Sequence, residues 1–224
     1  MNDTVTTRWW WIRHAPVVDD GGCIYGQRDL PADCSDSASF TALAHLLPER
    51  AIWVASHLSR THQTAEAIGQ AGRAVPPLVI EPALAEQHFG DWQGRPRREI
   101  YSRHMPWPGF WITAADHRPP GGESFAEVTE RVALAIARLT THHAGQDIVA
   151  VAHGGTIRAA LALALGLQPT GALAFSVENL SLTRLDHIAP IADSTAPSTW
   201  RVVAVNHVPA KMPKGTDLAS PAIA

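Results

Sequence analysis

Three features of this 224-residue sequence predict an α/β fold organised around a parallel sheet. Trp9-Trp10-Trp11-Ile12 is a run of large apolar residues that ends in Arg13-His14 and is bounded by Pro16, as a short, fully buried strand would be. Ile148-Val149-Ala150-Val151-Ala152, followed by His153-Gly154-Gly155, repeats that arrangement: an apolar strand, a histidine at its C-terminal end, then a turn into a helix. Between and after them, short apolar runs alternate with helical periodicity, the pattern of strands joined by covering helices. Open parallel sheets deliver their strand ends to a ligand crevice. If the two strands are neighbours, their imidazoles meet at one edge.

Taken in order, Met1 to Thr7 is expected to be a loose terminus before the first strand. Val17 to Ala32 carries Asp19, Asp20, Gly21, Gly22, Gly26 and Pro31, turn chemistry without periodicity, and loops at strand ends carry sites. Phe40, Leu43, Leu46 and Leu47 recur at helical spacing up to Pro48, and Ile52 to Ala55 is a second buried strand. Ser59 is a candidate N-cap for a helix to about Gln70, which sets Arg60 at a strand-to-helix junction where a guanidinium and free backbone N–H groups can face one anion. Val75 to Ile80, broken by two prolines, reads as an edge strand.

The segment 95–122 is rich in Trp, Pro and Arg and reads as a partly helical cap. Arg95, Arg97, Arg98, Arg103 and Arg118 outnumber its acids, so a locally positive face is expected. Trp92, Trp107 and Trp111 read as cap packing rather than substrate platforms. Ser124 and Glu127 form an S-x-x-E capping box for the longest helix, running to about His143 and stopped by Gly145. After the strand to His153 a helix runs from about Thr156 to Leu165, with Gly166 at its end and Arg158 expected on its surface. Strands at Leu180 to Leu185 and Val202 to Val205 complete the sheet. The chain is therefore expected to form one domain over 1–207, with a cap insertion at about 91–121 and a mobile tail at 208–224.

Composition narrows the function. With 46% hydrophobic and 17% charged residues and a net charge of -3, the chain is globular and lacks the basic field that nucleic acid demands. Its longest apolar run, Ala159 to Leu165, is far short of a membrane span, and no signal-peptide core precedes it. A cytoplasmic location is expected, with Cys23 and Cys34 as free thiols. Oligomeric state stays open.

No phosphate-binding G-x-x-x-x-G-K-[ST] loop, G-x-S-x-G elbow or H-E-x-x-H helix is present, and Cys23 with Arg28 misses the C-x5-R thiol-phosphatase cradle by one residue. The twelve histidines lack zinc-type spacing. The set Arg13, His14, Arg60, Glu86 and His153 is different. Two arginines match phosphate oxygens in pairs. A neutral imidazole is a competent nucleophile near pH 7, a second can donate to a phosphoryl oxygen, and a carboxylic acid can protonate a leaving alkoxide. Such chemistry requires no metal and no cofactor.

These residues resemble the histidine phosphatase superfamily, also called phosphoglycerate mutase-like. Its R-H-G motif is matched by Arg13-His14-Ala15, its S-x-L-x-R-x-x-Q-T-A by Ser56 to Ala65, and its L-x-E-x-x-F-G-x-W-x-G by Leu84 to Gly94. G-G-E-S is matched by Gly121 to Ser124 and H-G-G by His153 to Gly155. The resemblance implies a three-layer α/β/α sandwich with a mainly parallel sheet and an inserted cap over the strand C-terminal ends. It implies that His14 takes the phosphoryl group, that Arg13, Arg60 and His153 bind it with Gly154, and that Glu86 is proton donor and then base. Tyr25 and Gly26 match substrate-approaching positions, and a packed loop tyrosine and a turn glycine are equally consistent with them.

Ala15 replaces the usual glycine, Pro16-Val17 replaces a polar pair, and the asparagine that often contacts phosphate does not follow. Pro16 to Asp29 looks more like the branch containing α-ribazole phosphatase than like the glycolytic mutases. The reading is a metal-independent phosphomonoester hydrolase acting on a small phosphorylated metabolite through a phosphohistidine. The alternatives are a phosphoglycerate mutase-type phosphotransferase and a catalytically weak phosphate-binding or interaction domain.

Overall fold

The computed structural model of the chain describes residues 4–104, 111–191 and 196–209. Its strands are β1 (Thr4–Arg13), β2 (Ile52–Ala55), β3 (Val79–Ile80), β4 (Asp147–Ala152), β5 (Leu182–Pro190) and β6 (Thr199–His207). They form one sheet in the order β3-β2-β4-β1-β5-β6. The pairings β3-β2, β2-β4 and β4-β1 are parallel, whereas β5 and β6 add on antiparallel.

Side chains alternate between the two faces of a strand, and each face is covered by helices. Trp9, Trp11, Ile148 and Ala150 pack with α4 (Phe125–His142) and α5 (Gly154–Leu165) on one side. Ile12, Trp53, Val149 and Val151 pack with α1 (Ser37–Leu46) and α2 (Ser59–Gln70) on the other. The Trp9 and Trp11 indoles stack 4.9 Å apart, and Trp9 Nε1 donates to Thr140 Oγ1 of α4 at 3.0 Å. Trp10, expected inside with them, is only half-buried because the alternation turns it to the opposite face. There its indole donates to Asp147 and lies under Arg184.

Several boundaries differ from the sequence reading. The terminus is ordered from Thr4, since β5 runs to Pro190 and pairs with β1 along its length. Ser59 is the first helical residue of α2 and not its cap. The capping position is Leu58, which offers no side-chain acceptor, and the Ser59 hydroxyl instead donates to Asp29. α5 begins two residues before Thr156, directly after His153. From residue 210 the expected tail lies outside the described residues, as does Trp107. Among the described residues no helix is long and apolar enough to cross a membrane.

Between β3 and α4 the chain forms a 3-10 turn at Gly90–Trp92 and a short helix, α3 (Arg97–His104). Ile100 and Ile112 of this segment pack with Phe89, Trp92 and Ile24 of the first loop. Backbone bonds from Ile24 N to Arg95 O and from Gly94 N to Ile24 O tie cap and loop together. The expected positive face is largely neutralised. Arg95 and Arg103 pair with Glu99, Arg97 with Asp20, and Arg118 with Glu127. Trp92 is cap packing, stacked against both His104 and His117.

The capping box of α4 is complete: the Ser124 hydroxyl accepts from Glu127 N, and the Glu127 carboxylate accepts from Ser124 N. Ser124→Ala is therefore expected to destabilise the fold by about 1 kcal/mol, a fall of a few degrees in melting temperature, read by calorimetry or urea unfolding.

Candidate active site

The register of β1 and β4 builds the site. Arg13 is level with Ala152, so the next residue of each strand is a histidine, and His14 N donates to Ala152 O at 2.9 Å. The two imidazole centroids lie 5.1 Å apart. His14 is 1% exposed. Its Nδ1 lies 2.6 Å from Ala15 O, and a carbonyl only accepts, so the proton sits on Nδ1 and Nε2 keeps its lone pair. Burial holds the His14 pKa well below its ordinary value, and the Arg60 and Arg13 guanidinia lower it further.

His153 is fully buried and its pKa is likewise held well below the ordinary value, by burial first and then by Arg60, His14 and Arg13. Arg60 Nε donates to His153 Nδ1 at 3.3 Å, which leaves the ring proton on Nε2, 2.8 Å from Ser56 Oγ. A guanidinium has no acceptor, so this tautomer follows from the partner. Arg60, 0% exposed, also donates to Arg28 O and Gly26 O, and its guanidinium lies 5.2 Å from the Tyr25 ring centre. It thereby holds the first loop against α2. Arg13 donates through Nη1 to Val177 O at 2.6 Å, while its buried Nε has no partner among the described residues.

The Glu86 carboxylate accepts from Gly155 N, at the start of α5, and from Gln87 N. A Cβ at 155 would strike Glu86 Oε1, so the bare glycine is what lets the carboxylate lie against the start of α5. Gly26 is equally constrained: its φ is +47°, and a Cβ would come within 2.9 Å of Gln87 O. A cleft of about 330 Å³ opens beside these groups, lined by Arg13, Tyr25, Gly26, Glu86, Trp111 and Asn179 among others. Pro16 and Val17 lie along its wall too, where the family places polar side chains.

The structure thus brings together Arg13, His14, Arg60, Glu86, His153, Gly154, Tyr25 and Gly26. Sequence reasoning missed four neighbours. Ser56 and Gly155 stood inside quoted motifs without a task. Asn179, on the loop before β5, donates from Nδ2 to His14 O at 2.7 Å, and no local pattern marks it. Arg158 is not on the helix surface: it is 8% exposed, and its guanidinium lies over the Trp111 ring at 4.5 Å. Its spacing of four residues from Gly154 puts both on one helix face, and that was the legible clue. Trp111, read as cap packing, lines the cleft and donates to Gln87 Oε1.

The family model of the histidine phosphatase superfamily (branch 1) matches residues 9–193. The chain belongs to that superfamily. A glucosyl-3-phosphoglycerate phosphatase of Mycolicibacterium vanbaalenii is 34% identical over 166 residues, 70% of this chain and 73% of that protein. An adenosylcobalamin/α-ribazole phosphatase of Salmonella typhimurium is 30% identical over 185 residues, 80% of this chain and 90% of that one. The solved structure of a mycobacterial glucosyl-3-phosphoglycerate phosphatase superposes with a TM-score of 0.75 at 27% identity, covering 90% of this chain and 99% of that chain. This histidine phosphatase is accordingly a hydrolase of phosphorylated metabolites, with the superfamily's mostly parallel α/β architecture.

Two outcomes follow from the geometry. Gly155→Ala displaces the Glu86 carboxylate from its backbone donors and is expected to lower kcat about 100-fold without unfolding the chain, checked by steady-state kinetics beside circular dichroism. The two buried histidines stay neutral in the fold, whereas in the unfolded chain they protonate near pH 6.5. Their contribution is therefore full above about pH 6.5 and is lost as pH falls below it, at about 1.4 kcal/mol per pH unit for each ring that stays neutral. Urea unfolding at pH 7.5, 6.0 and 5.0 measures this slope, and His14→Asn should flatten it.

Proposed function

We propose that this chain hydrolyses small phosphomonoesters without a metal, through a phosphohistidine on His14, as one unit over 1–207 with 91–121 as its cap. The observation that carries the reading is the His14 ring: buried, neutral and protonated on Nδ1 by its bond to Ala15 O, with Nε2 available. Nε2 attacks phosphorus, the bond from phosphorus to the leaving oxygen breaks, and Glu86 gives its proton to that oxygen. In the second half Glu86 takes a proton from water, the water oxygen attacks phosphorus, the phosphorus–nitrogen bond breaks and phosphate leaves.

The unpaired Nε of Arg13 and the buried Arg60 supply charge to the phosphoryl oxygens, with Gly154 permitting close approach. His153 must release Nδ1 from Arg60 to donate, and Ser56 Oγ can support that tautomer by donating to Nε2. Tyr25 and Gly26 form the loop wall over the substrate. The relatives' named substrates, glucosyl-3-phosphoglycerate and α-ribazole phosphate, are both esters of this kind.

Phosphate release from a panel including p-nitrophenyl phosphate, α-ribazole phosphate and 3-phosphoglycerate, with chelator present, tests the mechanism. Release by the native chain that falls at least 10³-fold in His14→Ala is expected, as for loss of a covalent nucleophile. Equal release by both proteins, or release abolished by chelator, overturns it. Return of the phosphoryl group to a second hydroxyl would mark a mutase, and tight vanadate binding without turnover a binding domain.

A further inference from the structure

The loop before β5 is folded around the end of β1. Arg13 Nη1 donates to Val177 O at 2.6 Å, Leu180 N donates to Arg13 O at 3.0 Å, and Arg13 N donates to Ser181 O at 3.3 Å. Ser181 N closes the turn on Glu178 O at 3.1 Å, and Glu178 N is held by Asn206 Oδ1 at 2.6 Å. So tight a turn forces φ +59° on Leu180, a left-handed conformation costly for a leucine. Strain of this kind persists where the surroundings impose it, and it clusters at functional sites. The residue that this turn orients is Asn179.

Asn179 is half-buried and lines the cleft together with Arg13, Pro16 and Val17. Its neighbour at 2.7 Å is His14 O, and a carbonyl only accepts, so the amide nitrogen and not the oxygen faces His14. That nitrogen carries two N–H donors. One goes to His14 O, and the other has no partner among the described residues. Pro16 and Val17 offer no side-chain donor, which leaves Asn179 as the neutral donor beside Arg13 on that wall. The amide is anchored to the residue that carries the nucleophile, so donor and nucleophile are held as one unit. A donor fixed in advance where charge gathers is worth far more than one that must be ordered during the reaction.

We propose that Asn179 is a catalytic residue that binds the phosphoryl group: one Nδ2–H holds the His14 carbonyl while the other donates to a non-bridging phosphoryl oxygen on the Arg13 side. This rests on the assignment of His14 as the phosphoryl acceptor. It gives the strained turn at Leu180 a purpose, which is to aim one amide at two oxygens.

The chain has three asparagines, Asn2, Asn179 and Asn206, so isotope labelling of asparagine side-chain nitrogens makes the full-length protein readable by NMR. The amide pair that vanishes in Asn179→Ala identifies itself. On titration with inorganic phosphate, carried to saturation as judged by calorimetry, one Asn179 Nδ2 proton is expected to move downfield with occupancy while the proton bonded to His14 O holds its position. Two unmoved protons at saturation overturn the proposal. Variants supply a second arm. Asn179→Ala should lower kcat on p-nitrophenyl phosphate about 100-fold, as for loss of an oxyanion donor, and weaken phosphate binding about tenfold. Asn179→Asp, which turns a carboxylate towards the ligand, should weaken phosphate binding more than Asn179→Ala does. Phosphate binding within about twofold of native in both variants overturns the proposal, and a lowered kcat would then show that Asn179 acts through His14 alone. Failure of the phosphohistidine mechanism would appear separately, as phosphate release by the native chain that persists in His14→Ala.

Discussion

The site depends on one pairing, the parallel ladder between β1 and β4. Its register sets Arg13 level with Ala152 and therefore makes His14 and His153 neighbours across the sheet edge. Register is held by burial on both faces. A slip of one residue would turn Trp9 and Trp11 out of one core and Ile12 out of the other. The tryptophans that look like a packing feature are in this sense the alignment device of the chemistry. The helix that follows β4 begins at once, so Gly155 N meets the Glu86 carboxylate without an intervening loop.

Electrostatically the site is an excess of buried cation around two neutral imidazoles. Arg60 is saturated on one side by loop carbonyls and by His153, Arg13 keeps a bare Nε, and Arg158 keeps its end groups. Both histidines are kept neutral by the same two causes, burial and neighbouring guanidinium charge. The arrangement therefore does two things together: it stores attraction for an anion and, in the proposed mechanism, keeps the His14 nucleophile unprotonated.

The unusual Ala15-Pro16-Val17 segment is accommodated by backbone contacts. Ala15 N donates to Thr64 Oγ1 of α2, Asp33 N donates to Pro16 O, and Val17 bridges to Ala32. Support for His14 that a polar loop would lend comes from the other end of the chain, through Asn179 to the His14 carbonyl. The next residue, Leu180, adopts φ +59° while donating to Arg13 O, a strained conformation held by the sheet around it. The cap closes over the same loop through the Arg97 to Asp20 pair, so loop and cap form one wall of the cleft.

Much of this was legible in the sequence because it rests on local pattern. β2 occupies the span read from Ile52 to Ala55, the capping box opens α4, and the two apolar runs ending in histidine are the central strands. Arg13, His14 and His153 could be named because motifs place them at strand ends, where a parallel sheet gathers side chains, Arg60 because it opens the helix after β2, and Glu86 by its place in a longer motif. Other features needed partners distant in the chain. Order at Thr4 depends on β5, the Ser59 hydroxyl was diverted by Asp29, and Arg95, Arg97, Arg103 and Arg118 of the cap pair with Asp20, Glu99 and Glu127. Arg158 is the clearest case: its sequence neighbourhood allows an exposed helix position, and only the approach of Trp111 and Gly154 buries it beside the site. Short-range periodicity and motif order determine which elements form and which strand ends meet. Burial and the pairing of charges are sums over contacts far apart in the chain, so only the tertiary structure decides them.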